Sequence, residues 1–237
     1  MTVFMSYTKK AAAFEKLVGI CAGYEGKYNP ARQNLNSNAL RLLAGQAVEA
    51  ERAVADARRR FATAAGQRDE AFKSLGVVLK RLRAEIQLLS VDAGTRKLLV
   101  DVTNKASTFY PGSARPVPVE KEAPKAKRSY SGKDAATRLA AFGDLVDALE
   151  GVTDYHPSTE DLSVVALRAQ AAGLKAHIQA VIEAGSALNM VRNERRRIFT
   201  DPETGVLAIA RDVRNTFKSI FGSPSAELTG VRMIRFI

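Results

Sequence analysis

The sequence predicts an all-α protein, built as an elongated helical bundle of two pseudo-symmetric repeats. Three observations carry this reading. The 237 residues include no tryptophan and only 7% aromatics, against 46% hydrophobic residues in which alanine and leucine are abundant, a bias toward helix packing over sheet surfaces. Apolar residues recur by threes and fours over two long proline-free stretches, one from Ser37 and one between Pro157 and Phe199. Landmarks of the first half also recur 127 positions later in the second.

Taken in order, Thr8 to Ala22 places Ala11, Phe14, Leu17, Val18 and Cys21 at helical spacing, and a Gly-rich loop leads to Tyr28-Asn29-Pro30. The first long helix runs from Ser37 with Leu40, Leu43, Ala47, Ala50, Val54, Ala57, Phe61 and Ala64 along an alanine-rich packing seam. Gly66 is expected to weaken it near its end, with a bend before the helix marked by Phe72, Leu75, Leu79, Leu82 and Ile86. Asp92-Ala93-Gly94-Thr95 supplies a turn and a new cap for a short helix carrying Leu98, Leu99 and Val102. From 111 to 133, four prolines interspersed with Lys121, Lys125, Lys127 and Arg128 cannot form a core and read as a linker.

Beyond the linker the pattern begins again. Leu139, Phe142, Leu145, Val146 and Leu149 mark a short helix before Tyr155-His156-Pro157. Ser158-Thr159-Glu160-Asp161 is expected to cap the second long helix and place carboxylates in its first turn. Its seam is Leu167, Ala171, Leu174, Ile178, Val181, Leu188 and Val191. At the 127-residue offset Tyr28 matches Tyr155, Pro30 matches Pro157, Arg68 matches Arg195 and Phe72 matches Phe199, pairings that helical periodicity does not require. A turn at 201–205 precedes a helix with Val206, Ile209, Val213 and Phe217, and residues 231–237 are expected to pack as a short extended tail. The organisation is thus a first repeat over 1–110, a linker over 111–133 and a second repeat over 134–237, each a short helix, a long helix and a shorter one.

The ends of these elements also resemble those of a family of duplicated, all-helical bacterial proteins with no assigned activity. Its members close a helix with Phe-Gly-x-x-Ser-Pro, follow it with a Gly-apolar-x-apolar tail, and precede it by an Arg-Asn-rich helix end and a Gly-Leu-initiated helix. The corresponding segments here are Ser219 to Pro224, Gly230 to Met233, Val191 to Arg195 and Gly205 to Leu207. The resemblance implies the helical, duplicated fold and carries over no catalytic residue.

Chemistry is sparse in this sequence. His156 and His177 have no ligand-spaced partners, no Gly-rich phosphate loop follows a strand, and neither a cofactor, a metal, a small-molecule substrate nor enzymatic activity is expected. Cys21, the one cysteine, has no adjacent activating group and is expected to be a small buried hydrophobe. With no apolar run of membrane-spanning length and no basic-then-apolar leader, a cytoplasmic protein, or one packed in a particle assembled there, is expected. The formal net charge of +11 permits anionic partners without selecting one. The candidate phosphate-binding residues are Arg58, Arg59, Arg60, Lys125, Lys127, Arg128, Arg195, Arg196 and Arg197. Arg196 and Arg197 also match Asp69 and Glu70 across the repeat, suggesting ion pairs between the two halves. The leading functional expectation is a non-enzymatic scaffold that binds a protein partner or itself, the alternative a basic nucleic-acid-binding or packaging protein.

Overall fold

The computed structural model describes residues 6–24, 26–107, 135–153, 155–223 and 225–236, and every regular element among them is helical. In chain order these are α1 (Tyr7–Gly23), α2 (Ser37–Leu88), α3 (Ala93–Ser107), α4 (Ala135–Glu150), α5 (Val164–Thr200), α6 (Val206–Phe221) and α7 (Ala226–Arg232). Single 3-10 turns occupy Gln33–Leu35 and Glu160–Leu162. The expected linker, 111–133, lies outside the described residues.

The chain forms two compact units, one of Met1–Phe61 with Ala184–Ile237 and the other of Ala62–Glu183. Each unit therefore contains one end of α2 and one end of α5. In the first, α1 buries Phe14, Leu17 and Cys21 together with Leu40 and Ala47 of α2, Phe199 of α5 and Val206, Val213 and Phe217 of α6. The rings of Tyr24 and Tyr28 lie 5.8 and 5.2 Å from that of Phe217. In the second, Phe72, Leu75, Leu79, Leu82 and Ile86 of α2 pack with Leu99 of α3, Phe142, Leu145 and Leu149 of α4, and Leu167 and Leu174 of α5.

The starts of both long helices are set by a side chain that diverts backbone hydrogen bonds. The Tyr28 hydroxyl donates to the Leu35 carbonyl at 2.9 Å, and the Ala39 amide donates to Asn36 Oδ1 at 2.8 Å, so α2 begins at Ser37 with Asn36 as its cap. The Tyr155 hydroxyl donates to the Leu162 carbonyl at 2.6 Å, and the Ala166 amide to Ser163 Oγ at 3.2 Å, so α5 begins at Val164. The cap expected at Ser158 to Asp161 is therefore displaced. Those residues enter a 3-10 turn, where Asp161 pairs with Arg81 of α2 and Thr159 Oγ1 accepts from the same guanidinium at 2.8 Å.

Two other expectations are corrected. No second helix begins after Gly66, since α2 continues as one helix of 52 residues. A single exposed glycine costs only about 1 kcal/mol against alanine, and its neighbours Ala64, Ala65, Gln67 and Arg68 are good helix formers. The C-terminal tail is helical through Arg232, because Ser225 Oγ accepts from the Leu228 amide at 3.1 Å and starts α7; Met233 still has helical backbone angles, and the described residues after it form no regular element.

Asp92 and Asp201 anchor the turns before α3 and α6. Asp92 Oδ1 accepts from the Gly94 and Thr95 amides at 2.8 and 3.0 Å, and Asp201 Oδ1 from the Glu203 and Thr204 amides at 3.0 and 2.8 Å. Side-chain and backbone hydrogen bonds from Thr95 hold the Asp92 carboxyl below its usual range, and backbone and side-chain bonds from Thr204 do so for Asp201. The second turn folds back so tightly that a Cβ at Gly205 would stand 2.6 Å from the Asp201 backbone N and O. Gly222, with φ +78°, ends α6 in the left-handed region that disfavours a side chain.

Gly205→Ala is expected to lower unfolding stability by about 1–3 kcal/mol, because backbone must move to admit the methyl. Gly66→Ala, with nothing near its Cβ, should instead raise stability by up to about 1 kcal/mol in the same urea titration. The lowered carboxyls give a pH signature. Their contribution is complete above the unfolded aspartate value of about 3.9 and is lost as pH falls through the folded value. Urea midpoints should therefore drop between pH 5 and pH 3, by less in the Asp92→Asn/Asp201→Asn variant than in the parent chain.

Candidate functional site

Of the three basic clusters flagged in the sequence, two lie in the first unit and one falls outside the described residues. Arg58, Arg59 and Arg60 are exposed on α2, and Arg59 pairs with Asp56 one turn earlier. Arg196 and Arg197 are exposed on α5, where Arg197 grips Glu194 through Nε and NH2 at 3.0 and 2.7 Å. That bond holds the Glu194 carboxyl below its ordinary range and raises Arg197 above its own. Lys125, Lys127 and Arg128 lie outside the described residues.

Of the residues expected to pair across the two halves, Asp69, Glu70 and Arg197 each form an ion pair along their own helix. Arg68 binds its neighbour Asp69 at 2.7 Å, Lys73 binds Glu70 at 3.1 Å, and Arg197 is taken by Glu194. In the Lys73–Glu70 and Arg197–Glu194 pairs the partners are three apart on one helix and already within side-chain reach, so they form at little entropic cost.

Arg195 differs from the rest of its cluster. It sits seven residues after Leu188 and continues that stripe inward. Only 14% of its side chain is exposed. Its NH1 donates to Glu51 Oε1 at 3.0 Å, and its guanidinium carbon lies 4.3 Å from the centre of the Tyr7 ring. Glu51 Oε2 accepts in turn from Thr8 Oγ1 at 2.6 Å, and the Tyr7 ring packs edge-on against Phe199 at 5.0 Å. This chain of contacts ties α1, α2 and α5 together in the first unit.

Beside it is a cleft of about 460 Å³ whose lining includes Ala11, Val48, Arg58, Arg195, Glu15 and Glu51. Arg58 and Arg195 are thus brought to one place, but two carboxylates share the walls and Arg195 is already paired with Glu51. The arrangement is a packing node flanked by an alanine-lined groove.

The second unit holds a polar residue that the sequence reading passed over. Arg138 on α4 is 3% exposed, donates from Nε to the Ala106 carbonyl at 3.0 Å at the end of α3, and stacks 4.5 Å over the Phe72 ring. Burial pulls its guanidinium down to about 10, which leaves it cationic at neutral pH and well placed at a helix C-terminus. The signal was present: Arg138 stands four residues before Phe142 and shares the stripe of Leu145 and Leu149.

Nucleophile and metal chemistry have little to build on among the described residues. Cys21 is buried and its thiol is pushed up to about 12 by desolvation, so it is protonated and inert at neutral pH. No three His, Cys, Asp or Glu side chains gather as metal ligands among the described residues, and no helix among them is long and apolar enough to cross a membrane. What is left is apolar surface. On the second-unit part of α5, Val165, Ala169, Ala172 and Ala176 are exposed at four-three-four spacing, on the side opposite the buried Leu167 and Leu174, with Val165 79% exposed.

No family model matches the chain, and neither a curated protein nor a solved structure is detectably similar to it.

The two kinds of arginine are expected to respond differently to truncation. Arg195→Ala should cost about 2–4 kcal/mol by leaving Glu51 without its ion-pair partner and removing the guanidinium from the face of the Tyr7 ring. Arg59→Ala and Arg197→Ala, which break exposed pairs within one helix, should each leave the midpoint of the same denaturant titration nearly unchanged.

Proposed function

We propose that this chain is a non-enzymatic helical scaffold, formed from two copies of one helical unit, that binds a protein partner or a second copy of itself through exposed helix faces. The observation that carries it is the doubled apolar character of α5. One stripe, with Leu167, Leu174 and Leu188, is buried, while Val165, Ala169, Ala172 and Ala176 form a second stripe left in water. A solvated helix normally sets charge opposite its buried stripe; here the opposite side has small residues that let another helix approach closely.

Duplication is supported by matched local devices. The Tyr28 and Tyr155 hydroxyls each take the carbonyl of the last residue of a 3-10 turn, Leu35 and Leu162, and α2 and α5 each begin two residues later. On this reading each compact unit combines the N-terminal part of one copy with the C-terminal part of the other. The ion pairs at Arg59, Arg195 and Arg197 weigh against nucleic acid as the partner, since each would have to be broken to bind phosphate.

A photo-crosslinking residue placed at Ala172, with sedimentation mass followed over a concentration series, tests this reading. Ala172 should cross-link to a second protein chain, either this one with mass above 25.7 kDa or a different one with mass unchanged, and the exposed charged position Arg83 should not. A monomer at every concentration with no protein cross-link in native cells would sink it.

A further inference from the structure

A second surface, in the first unit, carries a more specific signature. Between α1 and the segment after α7 runs a groove of about 510 Å³ with a floor of Ala12, Ala13 and Ile234 and an edge at Met233, which is 76% exposed. Its remaining lining residues are Lys9, Lys16 and Arg235, with no carboxylate among them. None of these three cations has an ion pair among the described residues. Lys9 and Lys16 are seven residues apart on α1, two turns and about 10 Å along one face, and Ala12 lies between them.

The opposite wall is held in place. The Met233 amide donates to the Thr229 carbonyl at 3.1 Å, Arg214 donates to the Ile234 carbonyl, and the Arg214 guanidinium lies 5.3 Å from the ring of buried Phe236. A wall already ordered spares a ligand the entropy of ordering it.

We propose that this groove is a docking site for an acidic amphipathic helix of a different protein. The proposal rests on the interaction reading above and names a partner chemistry for a second face. Small residues on the floor let a helix backbone approach, Met233 offers an adaptable apolar contact, and cations on both edges match carboxylates flanking an apolar stripe. A second copy of this chain is a poor occupant. It carries the same formal net charge of +11, so two copies repel as they approach, whereas an acidic partner is drawn in.

The test uses the full chain and a fluorescent 16-residue helical peptide with a leucine stripe flanked by glutamates, compared with the same peptide carrying glutamines. Anisotropy should show the glutamate peptide binding at least tenfold more tightly, with affinity falling as salt is raised. Lys9→Glu/Lys16→Glu and Arg235→Glu should each weaken it tenfold or more. Arg58→Glu/Arg60→Glu, which changes net charge as much as the lysine pair, should leave it within threefold. All of these side chains are exposed, and circular dichroism confirms that each variant is folded. Equal loss in the Arg58→Glu/Arg60→Glu chain would show attraction to net charge and overturn the site. So would the absence of peptide binding, or groove-dependent binding to phosphatidylglycerol vesicles in place of the peptide. None of these outcomes touches cross-linking at Ala172, so failure here is separable from failure of the scaffold reading.

Discussion

The constraint on which the rest depends is that one helix must serve two cores. The stripe of α2 that begins with Leu40, Ala47 and Val54 in the first unit continues in strict seven-residue steps to Leu75 and Leu82 in the second, and Phe72, Leu79 and Ile86 form the companion row. A break of phase anywhere between would rotate one set of side chains away from its core. The continuity of α2 through Gly66 follows from this: the cost of one glycine is small beside the burial of five large residues beyond it. In the middle the same register is occupied by Phe61, 36% exposed, and Arg68, so large buried residues are concentrated toward the two ends.

A stripe of that length does not say where a helix begins, and here tertiary contacts decide. Leu35 and Leu162 must turn into their cores, and a tyrosine hydroxyl then takes the carbonyl that would otherwise accept a backbone amide four residues on. The amide at that place, of Ala39 or Ala166, turns to the side chain of Asn36 or Ser163. Composition alone favours the Ser-Thr-Glu-Asp run at 158–161 as a cap, because hydroxyls and carboxylates favour first turns in general. Asp161 instead meets Arg81, eighty residues earlier in the chain, a contact that no local pattern encodes.

The helical class and the core stripes were legible because both follow from periodicity. The fate of the arginines was not, because a charged residue on a stripe looks the same in sequence whether it ends the stripe or is buried in it. Arg138, Arg195 and Arg214 each lie within 5.3 Å of an aromatic ring centre, over Phe72, Tyr7 and Phe236. Guanidinium is planar and weakly hydrated, which lets it pack against a ring while its edge finds a carbonyl or a carboxylate. Part of the formal charge of +11 is therefore spent on packing, and total charge overstates how much cationic surface is free for an anionic partner.

The same reasoning separates useful cations from incidental ones on the surface. A guanidinium held by a carboxylate one turn away, as in Arg59 with Asp56 or Arg197 with Glu194, must give up that bond before it meets a ligand, so its contribution to binding is the difference between two similar interactions. A cation with no ion pair among the described residues, as at Lys9, Lys16 and Arg235, has no such bond there to give up when it meets a carboxylate, and the apolar floor beside it lowers the local dielectric in which the new pair forms. Sequence clusters of like charge score the two kinds equally. Geometry favours the sparser set, because three separated cations around an alanine floor are better placed for a partner helix than three adjacent arginines on one exposed turn.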